Sequence, residues 1–330
     1  MELKRIDIRK NAEDWNNYIT SNSVLDINGC FIAHNPCLAE IFEGVFGYKS
    51  EYYYLIEKGG ITGLLPGFRI KNKFISMPIF PSAGLFTSSK CDKFQIYKNI
   101  ISGLGQHEIR DTIKFSKYIY DKKILCYLQL KENPDLQWDK FSGKVRNQIK
   151  KGYKNGIEIK IGKSELLDEF YNLYSINMHN LGSPVLEKKF FLSLIKSYKN
   201  GIARIFIAYL KNNPIGGGFV LSFNNLFEVG WASTLREYNK YNPNMVLYWE
   251  MIKNSIENGM EFFSFGRATR SSGSHKFKLQ WGVKEIPIYF NYSNYTFDIR
   301  RLKFLGNLWQ KLPLKTVNKV GPFLRRLTKI

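Results

Sequence analysis

Apolar and polar positions along this chain switch between a helical period and a strand period, and the switches mark out its elements. Residues 11–20 carry the spacing of a short helix around Trp15 and Tyr18. Asn35-Pro36 opens a second helix, in which Leu38, Ile41, Phe42, Val45 and Phe46 recur at helical spacing before Gly47 stops it. Three strand-like runs follow, at 52–57, 61–70 and 74–77, divided by the turns Lys58-Gly59-Gly60 and Lys71-Asn72-Lys73. They read as a three-stranded antiparallel meander. A Pro-rich loop over 78–89 leads to a helix expected over 92–106, then to strands near 112–117 and 124–130.

The second half repeats this order. Helices are expected over 164–181 and 187–198, then strands over 203–210, 215–223 and 226–232. A helix over 244–258 and a short apolar strand, Phe262 to Phe265, complete it. Helix, meander, loop, helix, strand thus occurs twice. Duplication is the economical account, and it predicts an α/β (α+β) protein of two similar domains, each a mixed, mostly antiparallel sheet flanked by helices. The boundaries follow as residues 1–140 and 141–298, with a tail over 299–330.

Composition sharpens this picture. The chain has 330 residues, which suits two domains, and its net charge is +21. So one-sided a balance points to an anionic partner: nucleic acid, a lipid surface or a phosphorylated substrate. Cys30, Cys37, Cys91 and Cys126 form no C-x-x-C, and the four histidines are scattered. Zinc spacing is absent, a disulfide framework does not suit this length, and a reduced cytoplasmic setting is expected. Met1 to Arg5 are not followed by the apolar core of a signal peptide, and no apolar run reaches the length of a membrane span.

Three stretches carry candidate chemistry. Residues 140–163 hold eight basic residues, Lys144, Arg146 and Lys150 among them, against the single acid Glu158. They are either a solvated linker helix or a phosphate-facing one. Residues 265–282 read F-G-R-A-T-R-S-S-G-S-H-K-F-K-L-Q-W-G. This is either a polar turn between two strands or a small-residue loop flanked by cations that holds an anion. The tail over 299–330 has nine basic residues and no acid, with Leu302, Leu305, Leu308/Trp309 and Leu312 along one side. It reads as an amphipathic segment, with Trp309 interfacial, that docks on an anionic lipid surface or packs across its own domain. No Ser/His/Asp set, acid pair or Cys–His pair stands out; His179 and His275 are acid–base groups or, the favoured reading, ordinary polar residues. Glu228, beside Gly230 and Trp231, is a general base for an attacking amine or a paired strand charge.

The residues also carry a family likeness. His34-Asn35-Pro36, Gly63-Leu64-Leu65-Pro66, the K-x-R-x-x-I-K-K of residues 144–151, Pro214-Ile215-Gly216-Gly217, Pro243-Asn244 with Trp249, Phe265-Gly266-Arg267, and Phe277-Lys278 with Trp281-Gly282 occur in order. Over roughly residues 30–295 the chain resembles the FemABX-like branch of the GNAT superfamily, the peptidoglycan interpeptide-bridge aminoacyltransferases and their relatives beside exopolysaccharide genes. The resemblance implies two tandem GNAT-like folds and transfer of an acyl or aminoacyl group to an amine. The second domain would be catalytic.

Lys278 would stabilise charge on the reacting carbonyl, Glu228 would serve as base, and Lys144, Arg146, Lys150 and Arg267 would hold phosphates or a carboxylate. Asn244 would position a substrate backbone, with Ser272 and Trp281 completing the substrate-binding set. The resemblance further implies no tightly bound cofactor, an acyl donor used as co-substrate (aminoacyl-tRNA or acyl-CoA), and an acceptor that is polyprenyl-diphosphate-linked or an amino sugar. It places the protein in the cytoplasm, peripherally on the inner face of the cell membrane. The chain departs from the pattern in two places. Residues 234–243, where GNAT enzymes cradle the CoA pyrophosphate on glycine-rich backbone, contain no glycine. No long heptad run encodes the hairpin some members use as a tRNA arm. The alternative is a non-catalytic membrane-associated or RNA-binding protein that retains the fold.

Overall fold

The computed structural model describes residues 1–22, 31–88, 92–295 and 303–328. Cys30, Cys91 and the start of the basic tail, Leu302 included, lie outside the described residues. Two compact units form, and neither is a single run of chain. The first comprises residues 1–126, 266–276 and 284–297, and the second 127–265, 277–283 and 298–330.

The first unit begins β1 (Glu2–Ile6), α1 (Ala12–Asn22), α2 (Leu38–Phe46), β2 (Lys49–Ser50), β3 (Tyr52–Glu57), β4 (Gly60–Leu65), β5 (Phe68–Ile70), β6 (Lys73–Ile75) and β7 (Phe86–Thr87). It continues with α3 (Lys93–Ile100), β8 (His107–Asp111) and the greater part of β9 (Tyr118–Gln129). Gly47 ends α2 at φ +67°, as expected of a left-handed cap.

The expected meander is split. β3 and β4 pair with each other and sit between β1 and β7, whereas β5 and β6 belong to a different sheet with β2 and β8. Pro66-Gly67 is the cause. Proline cannot donate to a ladder, and a Cβ on Gly67 would stand 2.4 Å from the Phe74 ring, so the chain turns here in close contact. The strand expected over 112–117 lies earlier, at 107–111. Residues 112–117 are instead an irregular loop, in which Asp111 Oδ1 accepts from the Thr112 N–H and Asn291 Oδ1 accepts from the Phe115 and Ser116 N–H groups.

The second unit holds α4 (Pro134–Lys140), α5 (Gly143–Lys154), β10 (Ile157–Gly162), α6 (Leu167–Asn180), α7 (Lys188–Ser197), β11 (Ala203–Leu210), β12 (Asn213–Phe223) and β13 (Leu226–Thr234). α8 (Pro243–Glu257) follows, then β14 (Phe262–Thr269) and α9 (Gly273–Leu279), whose residues 262–265 and 277–279 belong to this unit; β15 (Lys284–Tyr292) belongs to the first unit and pairs there with β8. Residues 269–279, read as a turn between strands, thus contain a helix. α10 (Lys303–Lys311) and α11 (Leu314–Thr328) complete the second unit. No described helix is long and apolar enough to cross a membrane.

In the second unit β11, β12 and β13 form the antiparallel meander expected there, and β10, not expected from sequence, pairs with β11 at its edge. Its centre is the Gly216-Gly217-Gly218 run of β12. A Cβ on Gly217 would stand 3.0 Å from Ile207 Cδ1 and 3.4 Å from Phe170 and Leu173; one on Gly218 would stand 2.9 Å from Met251 Sδ. Successive strand residues face opposite sides. The glycines therefore let α6 close on one face and α8 on the other. Phe170, Phe191, Phe219 and Trp231 fill the α6 side, with ring centroids 5.1–5.9 Å apart.

His34, in the first unit, is completely buried. Its Nδ1 accepts from the Phe31 N–H, so Nε2 carries the proton and donates to the Gly84 carbonyl at 2.9 Å. Burial lowers its pKa from 6.5 to about 4. Protonation is thus disfavoured in the folded state. Stability is full above pH 6.5 and declines as pH falls toward 4, by roughly 3 kcal/mol. In urea unfolding between pH 4 and 7, His34→Gln should remove that part of the slope; an unchanged slope would rule out His34 as its source.

Candidate active site

The second unit's sheet opens at one point. Across β12 and β13, Phe219 pairs with Trp231 and Val220 with Val229, which leaves Gly230 as the extra residue of a bulge. On its other side β13 pairs in parallel with β14 for three residues only, from Leu226↔Phe262 to Glu228↔Ser264. β13 nevertheless runs on to Thr234. Gly230 is exposed in the middle of the strand, directly after four buried residues. Beyond Glu228 the register of β13 with β14 goes no further, while β13 stays paired with β12 up to Thr234.

Two ionisable side chains meet β14 where the ladder ends. Glu228 is buried and accepts from Ser264 Oγ at 2.8 Å. Lys278, on α9 and also buried, donates from Nζ to the carbonyl of the next residue, Phe265, at 2.5 Å. This bond orients the Lys278 ammonium group. Trp281 packs its ring on Phe265, Tyr248 and Phe141. The Trp281 indole N–H is buried and has no hydrogen-bond partner, a donor that costs free energy until something accepts from it. Tyr248 stacks on Phe265 at 5.3 Å, and burial pushes its phenol well above the usual range, so it too stays protonated. Asn244 lies half-buried in the first turn of α8, next to Met245, whose Sδ accepts from Gln280.

The basic stretch forms α5, capped by Ser142 Oγ on the Val145 N–H. Lys144 and Lys150 are exposed, and Arg146 pairs with Asp139 at 3.6 Å. Gly152 presses on Val246 and holds α5 against α8. An aromatic chain links the two regions: Lys150 sits over the Trp138 ring, Trp138 meets Trp249, Trp249 meets Phe141, and Phe141 meets Trp281. Beside it, Leu130, Lys131, Glu132, Leu136, Asp139 and Lys140 line an open cavity of about 500 Å³.

Arg267 and Ser272 fall in the first unit. Arg267 is half-buried and follows Gly266, whose φ is +69°. Ser272 Oγ accepts from the His275 N–H, a helix-capping bond at the start of α9. His275, Glu285 and Cys126 bring their metal-ligand atoms within 4.8 Å of one another. The ring is already committed, because Nδ1 accepts from the Ser271 N–H and Nε2 meets Glu285 Oε1 at 2.6 Å. A metal on Nε2 would strip both ring nitrogens of protons, so this group fits a hydrogen-bonded cluster rather than a metal centre. His179 Nε2 is bonded to the Leu312 carbonyl.

Residues 139–279 match the family model described as the acetyltransferase (GNAT) domain. FemX aligns over 92% of this chain and 100% of its own, at 13% identity and TM-score 0.62. This chain has a FemX-like, tandem GNAT fold. The C-terminal domain (DUF2156) assigned as a lysylphosphatidylglycerol synthetase from Agrobacterium fabrum shares it at 10% identity and TM-score 0.55, over 87% of this chain and 92% of that one. A tandem GNAT protein from the clavulanic acid biosynthesis pathway aligns over 89% and 100%, at 8% identity and TM-score 0.50. No curated protein sequence matches the chain.

Within this GNAT fold, residues 234–243 form a 3₁₀ turn, Arg236–Tyr241, followed by Asn242 at φ +61°. The glycine-lined backbone cradle is absent from that turn. Sequence reasoning missed Ser264, Phe265, Tyr248 and Phe141 as parts of the site. Only the alternation of Ser264 and Phe265 on one strand hinted that adjacent residues would serve Glu228 and Lys278. Ser264→Ala removes a buried donor to Glu228 and should lower unfolding free energy by about 1–3 kcal/mol. A loss below a few tenths in urea unfolding would show that the carboxylate is supported elsewhere.

Proposed function

We propose that the protein is an acyl- or aminoacyltransferase that acylates an amine on a cell-envelope precursor, such as a lipid-linked peptidoglycan or polysaccharide intermediate. The observation that carries this reading is Lys278. Its buried ammonium is held on the Phe265 carbonyl where the β13–β14 ladder ends. FemX and the lysylphosphatidylglycerol synthetase domain support the choice of acceptor class by name only. The protein would work in the cytoplasm at the inner face of the membrane, with residues 141–298 as the catalytic domain and 1–140 as its companion.

The acceptor amine attacks the carbonyl carbon of a thioester or aminoacyl ester. A C–N bond forms, the C–S or C–O bond breaks, and the thiol or tRNA hydroxyl leaves with a proton. Lys278 faces the oxyanion that develops, and a preorganised cation in a site walled by Phe265, Tyr248 and Trp281 is effective because water is excluded. The unpartnered Trp281 N–H supplies a second donor. Glu228, at the last paired residue of β13, accepts the amine proton. Lys144, Arg146 and Lys150 attract the phosphates of the donor or acceptor, with Asn244 on the substrate backbone and Arg267 and Ser272 assigned to substrate binding. The donor is aminoacyl-tRNA or acyl-CoA; the closed 234–243 turn weighs against the usual CoA grip.

Labelled acetyl-CoA and aminoacyl-tRNA, each offered with amino-sugar and lipid-linked acceptors, test the reading. Transfer is expected, with kcat/KM about 10²–10³-fold lower in Lys278→Ala and the fold intact by circular dichroism. Full activity in Lys278→Ala would overturn the assignment. Salt-sensitive RNA binding without turnover would favour the non-catalytic alternative.

A further inference from the structure

The tail resolves its two sequence readings by using a different face for each. One face of α10 and α11 packs on the second unit. Gly306 lies against Gly182, Gln310 donates to the Asn180 carbonyl, Val317 is buried, Gly321 meets Val185, and Arg326 pairs with Glu187. Trp309 belongs to this inward face: its Nε1 is buried, contrary to the interfacial placement expected from sequence. The other face is apolar and open. Phe304 is 56% exposed, Leu308 57% and Phe323 62%, with Leu305, Leu312 and Val320 at 40–41%. These six are among only fifteen exposed large apolar side chains in the described residues. On α10, Phe304, Leu305, Leu308 and Leu312 fall on one side at helical spacing, opposite Gly306 and Gln310.

We propose that the outward faces of α10 and α11 dock on an anionic phospholipid bilayer. Charge selects this occupant. Lys311, Lys315 and Lys319 are exposed beside the apolar residues, and residues 303–328 contain six basic side chains and no acidic one. Apolar side chains entering the acyl boundary, flanked by cations at headgroup level, make an in-plane amphipathic anchor. The inward face already supplies the intramolecular contact, so core packing does not account for the outward residues. A continuous apolar patch of this kind is uncommon on a free surface. The proposal does not rest on the transferase reading, since it concerns binding alone.

Full-length protein is floated with vesicles of phosphatidylglycerol and phosphatidylcholine, or of phosphatidylcholine alone. Binding should favour the anionic vesicles and weaken with salt. Both Phe304→Ser/Leu308→Ser/Phe323→Ser and Lys311→Gln/Lys315→Gln/Lys319→Gln should reduce partitioning by about tenfold or more. All six side chains point to solvent, so thermal melting should be unchanged. Equal binding of wild type and both variants would overturn the proposal. So would a dimer in sedimentation that the Ser variant abolishes while wild type binds no vesicle, which would make a second copy the occupant. RNA binding lost in the Gln variant, with no vesicle partition by wild type, would likewise overturn it.

Discussion

The second unit depends on where one ladder stops. Parallel pairing between β13 and β14 lasts three residues, and the Gly230 bulge lies just beyond it. A sheet that buries its centre between helices normally satisfies every interior peptide group with a neighbouring strand. Here β13 leaves β14 after Glu228, and it passes from buried at residues 226–229 to exposed at Gly230. The fold tolerates this because β12 holds β13 from the other side, and because the glycine run of β12 brings α6 and α8 into close contact. Tight packing on both faces supports a gap that backbone bonding alone would close.

Chemistry gathers at that gap for a topological reason. β14 brings Ser264 to Glu228 and the adjacent Phe265 carbonyl to Lys278, so two opposite charges are held by consecutive residues of one strand. Aromatic rings from α8, α9 and the segment after α4 pack around Phe265 and Trp281. The same rings continue to Trp138 beneath Lys150, which joins the cationic helix α5 to this cluster through packing rather than through charge. A basic helix that looks like a solvated linker is thereby tied by ring contacts to Trp281.

Much of this was legible in the residues. The helix at 38–46, the second meander, the basic helix ending near Gly156 and the position of α8 all follow from periodicity, glycine stops and proline starts, which are local effects. Lys278, Glu228 and Trp281 were singled out from sequence and all lie in the second unit, Glu228 bonded to Ser264 and Lys278 to the Phe265 carbonyl. The failures were cooperative. A strand-like run from 61 to 70 divides because Pro66-Gly67 sends its two parts to different sheets. Residues 273–279 carry too few apolar positions to read as a helix, and form one through Ser272 capping and burial of His275 and Lys278.

By itself the sequence determined the helix at 38–46, the meander from 203 to 234, the helix from 243 to 257, and the basic character of α5 and the tail. These follow from side-chain period and composition, which any folded form of the chain must respect. Tertiary structure alone decided that the β13–β14 ladder ends at Glu228, that the Trp281 N–H is buried without a partner, and that Trp309 faces inward while Phe304 and Phe323 face out. Such outcomes depend on which distant residues compete for the same space and the same hydrogen bonds, and no local pattern encodes that competition.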